Sequence, residues 1–177
     1  MDAQLTTPRG NISIRPAQAT DAQAFRDLRL EALRNHPEVF SSDYAAYCER
    51  PLAYWAGRLQ SLGPESMIFF AAQNDDLLGM CGISRGDSPK TAHSATIFGV
   101  YVRPEWRGLQ ITAGLITKCT EWAQAHGVKI IKLAVVTTNT AAIRCYARCG
   151  FSVYGVEPQA LYYDGKRYDE LLMARVI

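Results

Sequence analysis

Residues 100–115 read Val-Tyr-Val-Arg-Pro-Glu-Trp-Arg-Gly-Leu-Gln-Ile-Thr-Ala-Gly-Leu. The pattern predicts a strand that runs through a tight turn directly into a helix beginning near Leu109. The first amides of a helix have no intrahelical acceptors, and the helix dipole adds partial positive charge at the same end. Such an end binds phosphate readily, and Arg107 adds a full charge beside it. The alternative is an ordinary strand–loop–helix connection in which Arg107 is only solvated.

A second stretch carries a different pattern. Residues 139–151 read Asn-Thr-Ala-Ala-Ile-Arg-Cys-Tyr-Ala-Arg-Cys-Gly-Phe. An asparagine at a strand end is followed by a helix that contains Tyr146 and stops at Gly150, and a strand starts at Phe151. Taken alone, this stretch favours a core role for Tyr146, with its hydroxyl satisfied.

Hydrophobic periodicity predicts the remaining elements. Strands are predicted at residues 11–15, 67–72, 77–84, 94–102, 130–136 and 151–156, with a last hairpin turning at Asp164-Gly165. Helices are predicted behind a capping box at Thr20 and Gln23, between Pro37 and Pro51, around Trp55, over 109–126 and over 140–149. The almost continuously apolar strand 130–136 is expected to be covered on both faces. This order predicts an α/β (α+β) fold.

Length and composition predict one domain over residues 1–177, with a core from about residue 12. Of the 177 residues, 48% are apolar and 20% are charged, which is typical of a globular chain. The net charge of +2 is too small to favour a nucleic-acid partner. No apolar run approaches the ~20 residues of a membrane span, so no membrane partner is expected.

The five cysteines are scattered and resemble neither a disulfide framework nor a zinc site, so no metal is predicted. Cys145 and Cys149, four residues apart on one face of the predicted helix, are interpreted as buried structural thiols. The first residues carry no secretory signal pattern. Together these features predict a cytoplasmic protein.

The two quoted stretches together resemble the GNAT superfamily of N-acetyltransferases. That family's cofactor motif is Arg or Gln, two residues, Gly, one residue, and Gly or Ala, just after a strand; residues 107–112 are similar to it. Its downstream signature, Asn and then a helix with Tyr that ends in Gly-Phe, is matched more faithfully by residues 139–151. The element order resembles the family's from Ile12 to Ile177. The resemblance implies a mixed central sheet of about six to seven strands with helices on both faces.

The resemblance also implies a reaction, in which an acetyl group passes from acetyl-coenzyme A directly to a primary amine without a covalent enzyme intermediate. The co-substrate would lie where the strand ending at Val102 splays from the one ending at Val136. The implied cofactor-binding residues are Val100, Tyr101, Val102, Arg107, Gly108, Leu109, Gln110, Ile111, Thr112, Ala113 and Asn139. Tyr146 is the implied catalytic acid, because a hydroxyl with a pKa near ~10 can protonate a departing thiolate. Arg144 or Arg148 would reach the 3′-phosphate, although a solvated helix face explains them equally well.

Two residues depart from the family pattern. Gln110 and Thr112 stand where the motif has a glycine and a small residue, positions at which backbone must approach the pyrophosphate closely. These departures favour an alternative function, a degenerate member of the fold that acts as a coenzyme A-binding or interaction module without catalysis. A further alternative is an unrelated α/β protein whose motif matches are accidental.

The base that would deprotonate the amine is left unassigned. Related enzymes often use a glutamate on the strand before the phosphate loop, and Thr96 occupies the matching position here. His93 titrates in a useful range but is interpreted as a surface residue at a strand start. Glu157 and Glu170 are more remote candidates, and a water chain to bulk solvent is another route.

The acceptor would be the amine of a small molecule or a peptide. In this family the segment between the first strand and the first hairpin shapes the acceptor pocket, and the residues that could line it here are Glu38, Phe40, Tyr44, Tyr47, Tyr54 and Trp55. Phe40 and Trp55 are equally well explained as helix core residues. Residues 161–168 could line the pocket or serve a dimer contact, and exposed sheet edges leave a homodimer open.

Overall fold

A computed structural model describes residues 3–177, which form eight strands and five α-helices. The strands are β1 (Ala3–Thr7), β2 (Gly10–Pro16), β3 (Ser66–Gln73), β4 (Asp76–Arg85), β5 (Ser94–Val102), β6 (Ile130–Val136), β7 (Ser152–Tyr163) and β8 (Lys166–Val176). The helices are α1 (Ala22–Asn35), α2 (Tyr44–Cys48), α3 (Leu52–Gln60), α4 (Ile111–Ala125) and α5 (Thr140–Arg148).

All eight strands belong to one mixed sheet in the order β1-β2-β3-β4-β5-β6-β8-β7. Neighbouring strands are antiparallel except β5 and β6, which run parallel. The parallel pair needs a crossover, and α4 supplies it between the two strands. The predicted mixed sheet is confirmed, and the strand count is slightly higher than expected because β1 was not predicted.

Two hydrophobic clusters cover the two faces of the sheet. Leu115, Ile116 and Cys119 of α4 pack on one face, while Phe25 of α1 and Trp55 of α3 pack on the other. Most of the apolar residues that recur at helical spacing in these helices are buried, whereas Leu52, at the start of α3, is exposed. The sheet and its two layers of helices form the frame that positions the site.

Most predicted elements are present, with differences at their ends. Strands 94–102 and 130–136 have the predicted bounds, whereas α4 begins at Ile111 instead of Leu109. The capping box predicted at Thr20 and Gln23 is wrong. The reciprocal hydrogen bonds join Gln18 and Asp21, at the start of a short 3₁₀ turn that precedes α1.

The expectation that β6 is covered on both faces is also wrong. Its residues alternate between buried and partly or fully accessible side chains, and Ala134 is exposed. One side of this strand borders a cleft, so its apolar composition does not reflect complete burial. Cys145 and Cys149 are likewise only half-buried, whereas Cys81 and Cys119 are fully buried, with their sulfur atoms 3.4 Å apart.

Candidate active site

The cleft arises because β5 and β6 pair only over part of their length. Ser94–Thr96 are in register with residues 130–132, and the two strands diverge beyond that point. The β4–β5 register shifts between Met80 and Gly82, and Gly99, opposite this irregularity, has a φ of 62°. A bulge of this kind bends a strand and leaves backbone groups unpaired. The predicted splaying of the strands that end at Val102 and Val136 is confirmed.

The backbone of Val102 faces this cleft. The Arg103 amide donates to the Leu78 carbonyl of β4 at 2.9 Å, and successive residues of a strand alternate between its two sides. The Val102 carbonyl instead accepts a hydrogen bond from Arg107 Nε at 3.0 Å. The Tyr101 side chain is buried on the other face of the sheet, where its hydroxyl donates to Glu31, so only its backbone is available to a ligand.

The turn before α4 contains two residues in the left-handed region, one of them at the motif position that Gln110 occupies in place of a glycine. Gly108 has a φ of 80°, and Gln110, the N-cap of α4, has a φ of 61° in the left-handed region. The first amide of α4 to find a helical acceptor is that of Gly114, which bonds the Gln110 carbonyl. The amides of Ile111, Thr112 and Ala113 thus point out of the helix end, and the Gln110 side chain does not cap them.

Arg107 is oriented toward protein groups. Besides the bond to Val102, its Nη2 lies 2.9 Å from His36 Nε2, and its guanidinium lies over the Tyr101 ring. These contacts tie the turn to the end of β5. Direct binding of the pyrophosphate by Arg107 stays a prediction, and the outward amides of α4 are the donors already aimed away from the protein.

Tyr146 and Asn139 meet in a small cavity of about 90 Å³ at the open end of the cleft. Val100 of β5 and Val136 of β6 line the same cavity. Asn139 caps α5 by accepting a hydrogen bond from the Ala142 amide. Tyr146 is buried, and desolvation, followed by the neighbouring Cys81 thiol, raises the pKa of its hydroxyl well above the usual range. The hydroxyl therefore keeps its proton at neutral pH.

A larger cavity of about 360 Å³ adjoins the small one. Both are lined by Phe98 and Gly99 of β5, by Ala134 of β6 and by Phe40 of the loop after α1. Polar side chains from five elements also line the larger cavity, namely Arg29, Tyr47, Arg58, Thr96 and Glu170. The two cavities meet at the β5 bulge, so a group at the bulge is reachable from both.

The sequence did not indicate that Arg29 and Arg58 would line this cavity, and it indicated Glu170 only weakly. Arg29 and Arg58 have the spacing of ordinary helix residues, and Glu170 was considered only as a remote candidate base. Glu170 reaches the cavity because β8 pairs with β6, with Glu170 opposite Val136. No local pattern in the sequence indicates that pairing.

The aromatic residues predicted to line the pocket divide into two groups. Phe40 and Tyr47 line the larger cavity, whereas Trp55 is completely buried in the core against Phe25. Tyr44 instead hydrogen-bonds Arg34 on the surface. His93 lies at the opposite, paired end of β5, where its carbonyl accepts from the Lys129 amide, so its position does not suit a base at the bulge.

A model of the acetyltransferase (GNAT) family matches residues 24–151 of the chain. The chain belongs to the GNAT family. The matched range runs from α1 to the residue before β7 and includes the turn before α4 and both Asn139 and Tyr146.

Individual GNAT proteins are similar over nearly the whole chain. The L-amino acid N-acetyltransferase AaaT of Escherichia coli (strain K12) is 28% identical over 170 residues, which cover 93% of this chain and 98% of that protein. A GNAT acetyltransferase from Streptococcus pneumoniae superposes with a TM-score of 0.83 at 24% identity, covering 94% and 99% of the two chains. A putative acetyltransferase, yncA, from Salmonella typhimurium, solved with acetyl-CoA, gives a TM-score of 0.76 at 20% identity and covers 94% of each chain.

Two further properties of this GNAT domain concern metals and membranes. Within residues 3–177, no group of three or more His, Cys, Asp or Glu side chains is arranged to hold a metal ion. In the same part of the chain, no helix has the length and apolar character needed to cross a bilayer.

Proposed function

We propose that this GNAT protein transfers an acetyl group from acetyl-coenzyme A directly to a primary amine. The observation that carries the proposal is the meeting of the two cavities at the β5 bulge. Tyr146 lines one cavity and Glu170 lines the other. A thioester carbonyl at the bulge would thus have a proton donor on one side and a proton acceptor on the other.

The backbone hydrogen-bonding groups that border the cleft suit the proposed co-substrate. The outward amides of Ile111, Thr112 and Ala113, at the positive end of α4, suit a pyrophosphate. The exposed edge of β5 at Val100 and Val102 offers backbone groups to an amide-bearing chain such as pantetheine. Acetyl-coenzyme A, when bound there, supplies the activated acyl group.

In the proposed reaction the acceptor nitrogen attacks the thioester carbonyl, so that a C–N bond forms and the C–S bond breaks. Glu170 takes the proton that the ammonium must lose, directly or through water. Tyr146 gives its proton to the departing thiolate, and the second proton that the nitrogen loses as the amide forms restores the hydroxyl. The Tyr146 hydroxyl has a proton to give at neutral pH, because burial raises its pKa.

Glu170 is the base that the structure favours. Burial raises the pKa of its carboxyl, and the neighbouring Glu157 raises it further. A carboxylate with a raised pKa holds a proton more tightly and is a stronger base than an exposed one. Within residues 3–177, no other carboxylate lines either cavity. Glu170 thus takes the role that Thr96 cannot fill.

The larger cavity is of a size suited to a small acceptor, since ligand pockets begin at about 300 Å³. The name of the Escherichia coli relative, an L-amino acid N-acetyltransferase, is consistent with a small amine. The alternative, a module that binds coenzyme A without catalysis, rests on Gln110 and Thr112. It is disfavoured by the left-handed conformation of Gln110, which preserves the turn that a glycine would form.

Release of free coenzyme A thiol from acetyl-coenzyme A, measured against a panel of amines, tests the proposal. We expect amine-dependent release together with a heat of coenzyme A binding in calorimetry. Binding without release for any amine would favour the non-catalytic module. The absence of both binding and release would overturn the proposed function altogether.

A further inference from the structure

The Arg29 side chain is an unusual feature of the larger cavity. Its guanidinium is covered by the loop after α1, with Nη2 3.2 Å from Ser42 Oγ and the group 4.7 Å from the centre of the Phe40 ring. Nη1 is buried and has no hydrogen-bond partner within residues 3–177. A buried donor without an acceptor is unfavourable because it has lost its hydrogen bonds to water, so such a group calls for an explanation.

A second arginine adds to the positive charge. Arg58 of α3 lines the same cavity with its guanidinium over the Phe25 ring. Burial and, after it, the charge of Arg58 lower the pKa of Arg29 to about 10, against the opposing effect of the hydroxyls of Tyr47 and Tyr54. Arg29 still carries its proton at neutral pH. Two cations therefore face one cavity.

Among the described residues 3–177, no ion pair joins Arg29 to a carboxylate. Two acidic residues within eight positions of it in the sequence have other partners: Glu31 binds Tyr101 and Arg103, and Asp21 binds Arg15. Glu170 lines the cavity, but no described ion pair joins it to Arg29. A buried charge is unfavourable unless it is paired. The cavity therefore favours a ligand that carries an anionic group.

Arg29 also lies close to the reacting position. A Cβ added at Gly99 would stand 3.7 Å from Arg29 Nη1, which puts the guanidinium beside the β5 bulge. An anion held by Arg29 would therefore lie next to the point at which the two cavities meet. In an acceptor whose anionic group and amine are attached to the same carbon, binding of the anionic group to Arg29 would place the amine at the bulge.

We propose that the acceptor is an α-amino acid with an apolar side chain, whose carboxylate binds Arg29 and whose ammonium faces Glu170. This inference rests on the proposed function. A zwitterion matches the cavity's charges, cationic on the side of α1 and α3 and anionic at β8. The remaining lining is mostly apolar, with Ile68, Met80, Ile97 and Phe98 beside the aromatic rings, and suits the side chain of such an amino acid. A guanidinium can hold a carboxylate by two parallel hydrogen bonds.

The test uses product analogues, so that it requires no turnover. Binding to the coenzyme A-saturated protein is measured by calorimetry for the N-acetyl derivatives of L-phenylalanine, L-leucine and L-methionine, each compared with its own carboxamide. Acid and amide have the same shape, and neither contains a titrating amine. We expect at least one acid to bind about tenfold or more tightly than its amide.

Three variants test whether the preference for the acid over its carboxamide depends on Arg29. In Arg29→Met the preference for the acid should fall to within about threefold, while the melting temperature stays equal or rises because a buried unpaired charge has been removed. Arg29→Lys should keep only part of the preference, since an ammonium cannot form the two parallel bonds. Arg34→Met, on the exposed part of the same helix, should leave the preference unchanged.

Equal binding of all three acids and their amides to the wild-type protein would overturn the inference, as would an acid preference that survives Arg29→Met. These outcomes differ from failure of the proposed function. If coenzyme A is released with amines that lack a carboxylate but not preferentially with amino acids, transfer stands and the carboxylate site does not. If acids bind through Arg29 but no thiol is released, the carboxylate site stands and transfer does not.

Discussion

Glu157 and Glu170 lie directly opposite each other in the antiparallel pair of β7 and β8. Opposite residues of such a pair project from the same face of the sheet. Glu157 is exposed to solvent, whereas Glu170 is half-buried and lines the larger cavity. Desolvation and then the like charge of Glu157 raise the pKa of Glu170. The exposed carboxylate of Glu157 thus raises the pKa of the Glu170 carboxyl, which lines the cavity.

This pair predicts how activity depends on pH. The base acts when deprotonated, so kcat/KM should rise with pH through the pKa of Glu170, above the usual value of 4.5 for glutamate. Glu170→Gln should lower kcat/KM about 10²-fold or more near neutral pH and remove this limb of the profile. The measurement is thiol release across the pH range with acetyl-coenzyme A saturating.

Glu157→Gln is the matched comparison. Without the opposing charge, Glu170 ionises more readily, so the acidic limb should move to lower pH while activity at the plateau is preserved. If the acidic limb of the kcat/KM profile is unchanged in Glu170→Gln, the base is another group or solvent.

Tyr146→Phe tests the proposed acid. Removing the hydroxyl should lower kcat by about 10- to 100-fold because the thiolate must then leave without a proton. Coenzyme A affinity should change less than about threefold, since the ring remains packed against Phe151. Tyr154→Phe, at an exposed position on β7, is the control. An unaltered rate across the pH range in Tyr146→Phe would remove Tyr146 from the mechanism.

Gln110→Gly tests whether the departure from the family motif matters. A non-glycine residue in the left-handed region costs about 1 kcal/mol, partly offset in the glycine variant by a more flexible unfolded chain. We expect Gln110→Gly to raise the free energy of unfolding by about 0.5 kcal/mol and to change coenzyme A affinity by less than about threefold. Chemical denaturation and calorimetry measure the two quantities.

Gln110→Ala separates the side chain from the backbone, because alanine keeps the unfavourable φ but removes the long side chain. Coenzyme A binding that appears only in the alanine and glycine variants would mean that the glutamine side chain obstructs the phosphates. That result would support the non-catalytic module for the natural sequence.

Asp21→Asn tests the ion pair that fixes the start of α1. Both carboxylate oxygens of Asp21 accept hydrogen bonds from Arg15, each at 2.7 Å, and the pair is largely buried. Loss of the charge should lower the free energy of unfolding by about 2–3 kcal/mol at neutral pH. Glu65→Gln, which removes an exposed partner of Arg85, should have a much smaller effect in the same denaturation experiment.

The contribution of Asp21 should also depend on pH in a defined direction. Burial alone would raise the pKa of Asp21, but the hydrogen bonds from Arg15 and the Gln18 amide outweigh it, and the net pKa lies below 3.8. Its stabilisation is therefore present above the unfolded-state pKa and is lost as the pH falls through the folded-state value. The difference between wild type and Asp21→Asn should shrink correspondingly in acid.

Local patterns predicted the elements that carry the proposed cofactor site. The alternation and the glycine and proline positions around residues 94–115 gave the strand, the turn and the helix, since each depends on residues close in sequence. The same holds for residues 139–151, where the cap at Asn139 and the stop at Gly150 are local features. The homodimer and the acceptor both stay predictions, because each depends on a second molecule.

The sequence by itself therefore determined the family and the elements that form the proposed acyl-donor site, because both depend on contiguous stretches of the chain. Only the tertiary structure decided which side chains line the cavity proposed for the acceptor. Arg29, Arg58 and Glu170 are far apart in the chain and become neighbours of one cavity through helix packing and the pairing of β8 with β6. The chemical role of a buried charged group depends on the groups around it, and those groups come together only after the chain has folded.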